Sequence, residues 1–186
     1  LFFTGSVPAG KTLMAQAAQT LTPVSLELGG NDPMLVLEDA DLERATNGAA
    51  WGGYQNAGQS CGGVERVYVV DAVYDQFVDL LAKKTRQLRH GIGCSGFDVD
   101  IGSLTTAGQL RTVQQHVEDA LAKGARIEAQ SRPVGNVENG FFFPATLLTQ
   151  VTDDMLTMCD ETFGPLIAVQ RVANEEEAIR KANDSN

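Results

Sequence analysis

The sequence predicts an α/β fold with a mainly parallel sheet flanked by helices. Three observations point to it. Short apolar runs of strand length alternate along the chain with stretches of helical periodicity. Thr22-Pro23, Gly29-Gly30-Asn31-Asp32-Pro33 and Lys123-Gly124 supply breaks between elements. With 186 residues and 43% hydrophobic content, the chain can bury a substantial core. Strand and helix in turn imply parallel pairing through right-handed crossovers.

The elements follow in order. Leu1 to Thr4 reads as a buried strand, and Lys11 to Leu21 as a helix of good helix formers stopped by Thr22-Pro23. Val24 to Leu28 and Met34 to Leu37 are short apolar strands on either side of the Gly29–Pro33 turn. Asp41 or a neighbour caps a helix running to about Gly52. Arg66 to Val70 is a strand of β-formers, after which Val73, Phe77, Leu80, Leu81 and Leu88 recur at helical spacing. Leu110, Val113, Val117 and Leu121 mark a helix closed by Lys123-Gly124. Phe141 to Leu148 and Leu166 to Val172 are late strands, and Glu175 to Ala182 is a closing helix. Linkers are expected at 91–102 and 131–140. No internal repeat or low-complexity tract is visible.

Charge and cysteine content narrow the function. The formal charge of −10, from 14 basic and 24 acidic side chains, argues against nucleic acid or an anionic membrane surface as the main partner. No apolar run reaches the ~20 residues that span a bilayer, and no signal or transit pattern opens the chain. A cytoplasmic enzyme with a small-molecule substrate is the expectation. Leu1 opens mid-strand without an initiator Met, and Asn183-Asp184-Ser185-Asn186 closes abruptly, which reads as a piece of a longer protein. Cys61, Cys94 and Cys159 contain no CxxC pair, so neither a zinc site nor a disulfide framework is suggested, and a reducing compartment is expected. His90 and His116 are too few and too scattered for a metal cluster; with Cys94 and Cys159 they read as structural, and no metal is expected.

Three segments carry chemistry. Gly5-Ser6-Val7-Pro8-Ala9-Gly10-Lys11-Thr12 satisfies the phosphate-loop pattern G-x-x-x-x-G-K-[ST] between a strand and a helix. Taken literally it predicts a nucleoside triphosphatase, with Asp71 after the apolar run Tyr68-Val69-Val70 posing as the magnesium ligand. A glycine-rich turn at a helix N-terminus also suits a dinucleotide's phosphates, and a plain strand-to-helix turn is the third reading. In Ser25-Leu26-Glu27-Leu28-Gly29-Gly30-Asn31, Glu27 sits on an apolar strand. Its neighbours should partly desolvate it and raise its pKa toward that of a general base; a solvated edge-strand glutamate is the alternative. In Asn56-Ala57-Gly58-Gln59-Ser60-Cys61-Gly62-Gly63, a thiol among small residues has backbone room for a close-approaching substrate. A small buried hydrophobe is the other reading of a free cysteine.

Taken together, Phe3-Thr4-Gly5-Ser6 with Gly10-Lys11, then Glu27-Leu28-Gly29-Gly30, then Asn56-x-Gly58-Gln59-x-Cys61 with Arg66, then Glu161-x-Phe163-Gly164-Pro165, resemble the ordered signature motifs of the NAD(P)-dependent aldehyde dehydrogenase superfamily. The resemblance runs from Leu1 to the end. It implies an aldehyde dehydrogenase-like catalytic domain over residues 29–186, preceded by the C-terminal part of an NAD(P)-binding domain over residues 1–28. It also implies that the chain covers less than half of a family member.

The resemblance implies roles for single residues. Cys61 would be the nucleophile, forming a thiohemiacetal and then a thioester, with its own N–H holding the oxyanion. Glu27 would activate the hydrolytic water. Gly5, Ser6 and Gly10, with the turn between them, would meet the pyrophosphate of NAD or NADP; the Leu28 carbonyl would contact the carboxamide. Glu161 would bind the nicotinamide ribose hydroxyls and Phe163 would pack beside the nicotinamide. Partners implied are a small aldehyde and further copies of the full protein, as a dimer or tetramer. Asn31 stands where many members carry lysine, and Gly62 and Gly63 where bulkier or hydroxylated residues follow the cysteine; glycines there enlarge the space beside the thiol or make its loop more mobile. The family's side-chain oxyanion donor, an asparagine, and its adenosine-ribose lysine would precede Leu1, so the chain alone is expected to be inactive. A CoA-acylating relative, which need not keep a glutamate base, and a noncatalytic homologue are the remaining alternatives.

Overall fold

A computed structural model of the protein describes residues 1–93 and 98–185. Cys94, read above as structural, and part of the expected 91–102 linker lie outside the described residues. The chain divides into two compact units, Leu1–Gly30 and Asn31–Asn186.

The first unit is one β–α–β turn of chain: β1 (Phe2–Gly5), α1 (Val7–Ala18) and β2 (Ser25–Leu28), with β1 and β2 parallel and Phe2 opposite Ser25. The helix begins at Val7, four residues before the Lys11 expected from sequence. Ser6 is its N-cap, extended at φ −73° and ψ 151°, and Pro8 occupies the first turn, where a missing N–H costs nothing. The segment read as a phosphate-binding turn is therefore helical from Val7 onward. Lys11 and Thr12 lie within the helix, with the Thr12 hydroxyl donating to the Pro8 carbonyl at 3.0 Å. A phosphate loop needs residues 5–10 to wrap an anion before the helix starts, and here the helix already runs from Val7. The helix also ends early, at Ala18, and Leu21 takes a left-handed φ of 53°.

The second unit holds a five-stranded sheet in the order β3-β4-β9-β8-β6. Its strands are β3 (Asp32–Val36), β4 (Val64–Val70), β6 (Arg126–Gln130), β8 (Thr146–Thr149) and β9 (Leu166–Val172). All pairings are parallel except that of β6 with β8. Pro33 is tolerated because β3 is an edge strand. A separate parallel pair joins β5 (Arg89–Gly91) to β7 (Arg132–Val134). Among the described residues, five α-helices complete the unit: α2 (Leu42–Tyr54), α3 (Asp71–Gln87), α4 (Ala107–Ala122), the short α5 (Leu156–Cys159) and α6 (Glu175–Asn183). Asp41 caps α2 by accepting from the Arg44 N–H at 3.1 Å, and Gly124, with φ 101°, ends α4 as expected.

Strand alternation divides the core in two. Val67, Val69, Leu147, Ile167 and Val169 join Ala49 and Tyr54 of α2 and Phe77 and Leu81 of α3. Tyr68, Val70, Leu148, Leu166, Ala168 and Val172 join Val117 and Ala120 of α4, Met158 of α5 and Ala178 of α6. Successive side chains leave opposite faces of a strand, and both faces are covered, so β4 and β9 read as continuous apolar runs.

The sequence reading missed β5, β6, β7 and α5. Arg126-Ile127-Glu128 and Arg132-Pro133-Val134 carry charged residues or proline on short, peripheral strands, so no apolar run announces them. The strand expected from Phe141 begins instead at Thr146, after Pro144. Truncating Leu81, fully buried in the α2–α3 layer, to alanine should cost about 2–5 kcal/mol. Urea unfolding is the measurement, and a cost under about 1 kcal/mol would contradict this placement of the core.

Candidate active site

The residues singled out by motif fall into two groups. Gly5, Ser6, Gly10, Glu27 and Leu28 belong to the first unit; Cys61, Glu161 and Phe163 belong to the second.

In the first unit, Ser6 stands exposed at the N-terminus of α1, its hydroxyl 3.5 Å from the Ala9 N–H. Gly10 is buried. A Cβ there would lie 2.8 Å from a methyl of Leu28, so this glycine lets α1 press onto β2. Glu27 departs from expectation. It is exposed, while Leu26 and Leu28 are half-buried. The two leucines share one face of β2, and Glu27 points from the other, so its strand neighbours do not desolvate it.

In the second unit the site is built at the amino ends of parallel strands. Asn31 precedes β3, Cys61 lies three residues before β4, and Glu161–Pro165 runs directly into β9. The Cys61 loop enters from α2 through a 3-10 turn, Gln55–Gly58, in which Asn56, Ala57 and Gly58 all have positive φ (51°, 56° and 71°). Local bonds hold this unusual backbone. Asn56 Nδ2 donates to the Gln59 carbonyl at 2.9 Å, Gln59 Nε2 donates to the Asn56 carbonyl at 3.1 Å, and the Gly63 N–H donates to the Ser60 carbonyl at 3.0 Å. Gln59 also ties the loop to a distant segment, its Oε1 accepting from the Thr105 N–H at 2.9 Å and the Thr105 hydroxyl at 2.8 Å. Cys61 is exposed at the tip, with its thiol presented rather than packed. Gly62 is open as well: a Cβ there would meet nothing closer than Asp32 Oδ2 at 3.9 Å.

The two loops meet backbone to backbone. A Cβ on Gly58 would sit 1.9 Å from the Gly164 carbonyl oxygen, an impossible contact, and φ of 71° disfavours a side chain independently. Glu65, at the start of β4 and only 3% exposed, reaches across to the other loop. It accepts from the Thr162 N–H at 2.7 Å and the Phe163 N–H at 2.8 Å. Burial pushes its pKa up to about 7, opposed by those two donors and aided by the nearby charges of Glu161 and Asp32. Gln109 of α4 donates to the Thr162 and Phe163 carbonyls at 2.7 and 3.1 Å. His116, also buried, places Nδ1 3.0 Å from the Thr162 hydroxyl; desolvation lowers its pKa. Asn31 Nδ2 donates to the Asp160 carbonyl at 3.2 Å, and the Asn31 carbonyl accepts from the buried Arg66 Nε at 2.8 Å.

Glu65, Gln109, Thr105 and Thr162 were not singled out from sequence, and His116 was read only as structural. Glu65 alone left a signal, a carboxylate at the head of an otherwise apolar strand. A surface groove of about 510 Å³ lies elsewhere, between Tyr74, Arg126, Gln150 and Arg171. It lacks any of the motif residues. Among the described residues, no three His, Cys, Asp or Glu side chains gather as a metal site would require, and no helix is long and apolar enough to cross a membrane.

The aldehyde dehydrogenase family model matches residues 1–186. The chain belongs to the aldehyde dehydrogenase family. It is 43% identical over 185 residues to glutarate-semialdehyde dehydrogenase of Pseudomonas aeruginosa, covering all of this chain and 38% of that protein. Its fold matches the crystal structure of an E. coli NADP-dependent enzyme with a TM-score of 0.92 at 40% identity, covering 100% of this chain and 38% of that one. It also matches betaine aldehyde dehydrogenase of Staphylococcus aureus, solved in complex with NAD+, with a TM-score of 0.91 at 34% identity, covering 99% of this chain and 37% of that one. The chain thus spans well under half the length of these proteins.

Two outcomes test the geometry. Gly58→Ala should destabilise the second unit by about 2 kcal/mol or more, since it adds both strain and a clash, measured by urea unfolding; a neutral effect would contradict the close approach. Glu65 should make stability fall as pH rises from about 4.5 to about 7, because the folded state holds its proton more tightly than the unfolded chain. The loss is about 3 kcal/mol as an order of magnitude. Glu65→Gln should flatten that part of the profile; identical slopes in both proteins would refute the assignment.

Proposed function

We propose that the protein carrying this chain oxidises an aldehyde to a carboxylic acid with NAD+ or NADP+ as hydride acceptor. One observation carries the reading: Cys61 stands exposed at the tip of a loop whose backbone is locked from both sides and pressed against the Glu161–Pro165 loop. A thiol held open on a fixed backbone is suited to nucleophilic attack.

The residues present suit a dinucleotide. Ser6 offers a hydroxyl beside the open N-terminus of a twelve-residue helix, which favours a pyrophosphate. Gly10 keeps that helix close to β2, and Gly5 leads into it. The half-buried Glu161 carboxylate can accept from ribose hydroxyls, the Leu28 carbonyl can accept from a carboxamide, and Phe163 presents an aromatic ring from a fixed backbone. When bound, the nicotinamide supplies the hydride acceptor.

The Cys61 thiol loses its proton to solvent and attacks the carbonyl carbon of the aldehyde as the thiolate. A C–S bond forms, and the carbonyl oxygen becomes an oxyanion facing the Cys61 N–H. Collapse of this thiohemiacetal restores the C=O bond as the former aldehyde hydrogen departs as hydride, leaving a thioester on Cys61. Glu27 then removes a proton from water, the resulting hydroxide adds to the thioester carbon, and the C–S bond breaks to release the acid and regenerate the thiolate. In this reading residues 1–28 are the C-terminal part of the cofactor-binding domain and residues 29–186 belong to the catalytic domain, and the enzyme works in the cytoplasm as a homo-oligomer.

Cys61→Ser should lower aldehyde-dependent NAD(P)H formation by about 10³-fold or more, because a neutral hydroxyl is a far poorer nucleophile than a thiolate. Turnover retained in that variant would overturn the reading. Glu27→Gln should give a pre-steady-state burst of reduced cofactor followed by a rate about 10²-fold or more below wild type. Steady turnover close to wild type would show that a different group activates the water.

A further inference from the structure

We propose that Glu65 and Gln109 are positioning residues for the dinucleotide, acting through the Glu161–Pro165 loop that they grip from opposite sides. The inference rests on the reading of Glu161 and Phe163 as the groups that meet the nicotinamide half of the cofactor.

Phe163 has a φ of 47°, a left-handed conformation in a bulky residue that is not glycine. Such a backbone is unfavourable by about 1–3 kcal/mol and persists only where its surroundings over-determine it. Here the surroundings do. Both N–H groups of Thr162 and Phe163 donate to the Glu65 carboxylate, and both of their carbonyls accept from the Gln109 amide. Four successive backbone polar groups are thus captured by two side chains, one from β4 and one from α4. The Thr162 side chain, wholly buried, is held in turn by His116.

The clamp has a direction. Glu65 lies four residues after Cys61 on the strand that leaves the nucleophile's loop, and its carboxylate binds the residues immediately after Glu161. A displacement of the Glu161 loop relative to Cys61 must stretch two short bonds to a buried carboxylate. Burying a charge-bearing group is expensive, and it is offset here because an apolar side chain of similar size would leave the Thr162 and Phe163 N–H groups without an acceptor. What the carboxylate adds is a fixed distance between the nucleophile and the loop beside it. Neither Glu65, almost fully buried, nor Gln109, whose amide is committed to two carbonyls, need touch a ligand.

The test is bisubstrate kinetics on Glu65→Ala, Glu65→Gln and Gln109→Ala in the intact enzyme, together with direct titration of reduced dinucleotide by its fluorescence. The dinucleotide KM and dissociation constant should rise roughly tenfold or more in Glu65→Ala and Gln109→Ala, and less in Glu65→Gln, which keeps one acceptor oxygen. The aldehyde KM should stay within about twofold, and the burst amplitude at saturating dinucleotide should be preserved per mole of folded protein. A merely structural role would instead scale kcat and leave dinucleotide affinity unchanged; that result overturns the proposal. Should the Glu65 variants fail to fold, Gln109→Ala decides, since its half-buried side chain lies outside the core: unchanged dinucleotide affinity there overturns it. A wild-type enzyme that binds no dinucleotide removes the functional reading and this inference with it. Wild-type binding with equal binding by the variants removes only the inference.

Discussion

The close approach of Gly58 to Gly164 is the constraint on which the site depends. Two loops, one before β4 and one before β9, come into backbone contact because residue 58 has no side chain and accepts a φ of 71°. Everything else at the site is a way of fixing that approach. Gln59 fastens the first loop to Thr105, Glu65 fastens the second loop to β4, and Gln109 and His116 hold the second loop from α4. Neighbouring parallel strands β4 and β9 set the distance between the two loops before any side chain acts. The thiol of Cys61 can therefore stand exposed without its backbone being loose.

The site's location within the sheet is informative. In most open α/β sheets, ligands bind beyond the carboxyl ends of parallel strands. Cys61, Asn31 and Glu161 all lie instead at the amino ends of β4, β3 and β9. The carboxyl ends of the same strands border a groove lined by Glu38, Asp39, Asn174 and Glu175. That acidic lining suits a phosphorylated cofactor poorly, because like charge repels the anion. The amino ends carry the small residues and short turns that let backbone come close, and Asn31, Cys61, Glu65 and Glu161 gather there.

The sequence made the exposed thiol of Cys61 and the parallel fold visible, and the reasons are local. Cys61 sits among glycines in a motif of contiguous residues, and the apolar runs of β4 and β9 announce strands buried on both faces. The clamp was not visible because its partners are far apart in the chain: Glu65 and Thr162 are 97 residues apart, and Gln109 and Thr162 are 53. No periodicity or short pattern links them. The Lys11 start of α1 was misplaced because a glycine-rich stretch reads as a turn, whereas a Ser6 cap and Pro8 in the first turn begin the helix earlier. The expected desolvation of Glu27 failed for a related reason. Flanking leucines say that a strand is apolar, not which of its faces is covered, and Glu27 occupies the uncovered one. The peripheral strand β6 was missed because its charged residues and antiparallel pairing leave no apolar run.

Membership of the aldehyde dehydrogenase family and the locked, exposed thiol converge on one claim, that Cys61 carries the acyl group during turnover. The most direct measurement is acid quench of the enzyme within its first turnover with aldehyde and oxidised dinucleotide, followed by peptide mass analysis. An acyl adduct is expected on the peptide containing Cys61, with the mass of the aldehyde less one hydride and one proton, and none when the dinucleotide is omitted. Turnover accompanied by no adduct at Cys61, or by an adduct on Cys159 instead, would contradict it.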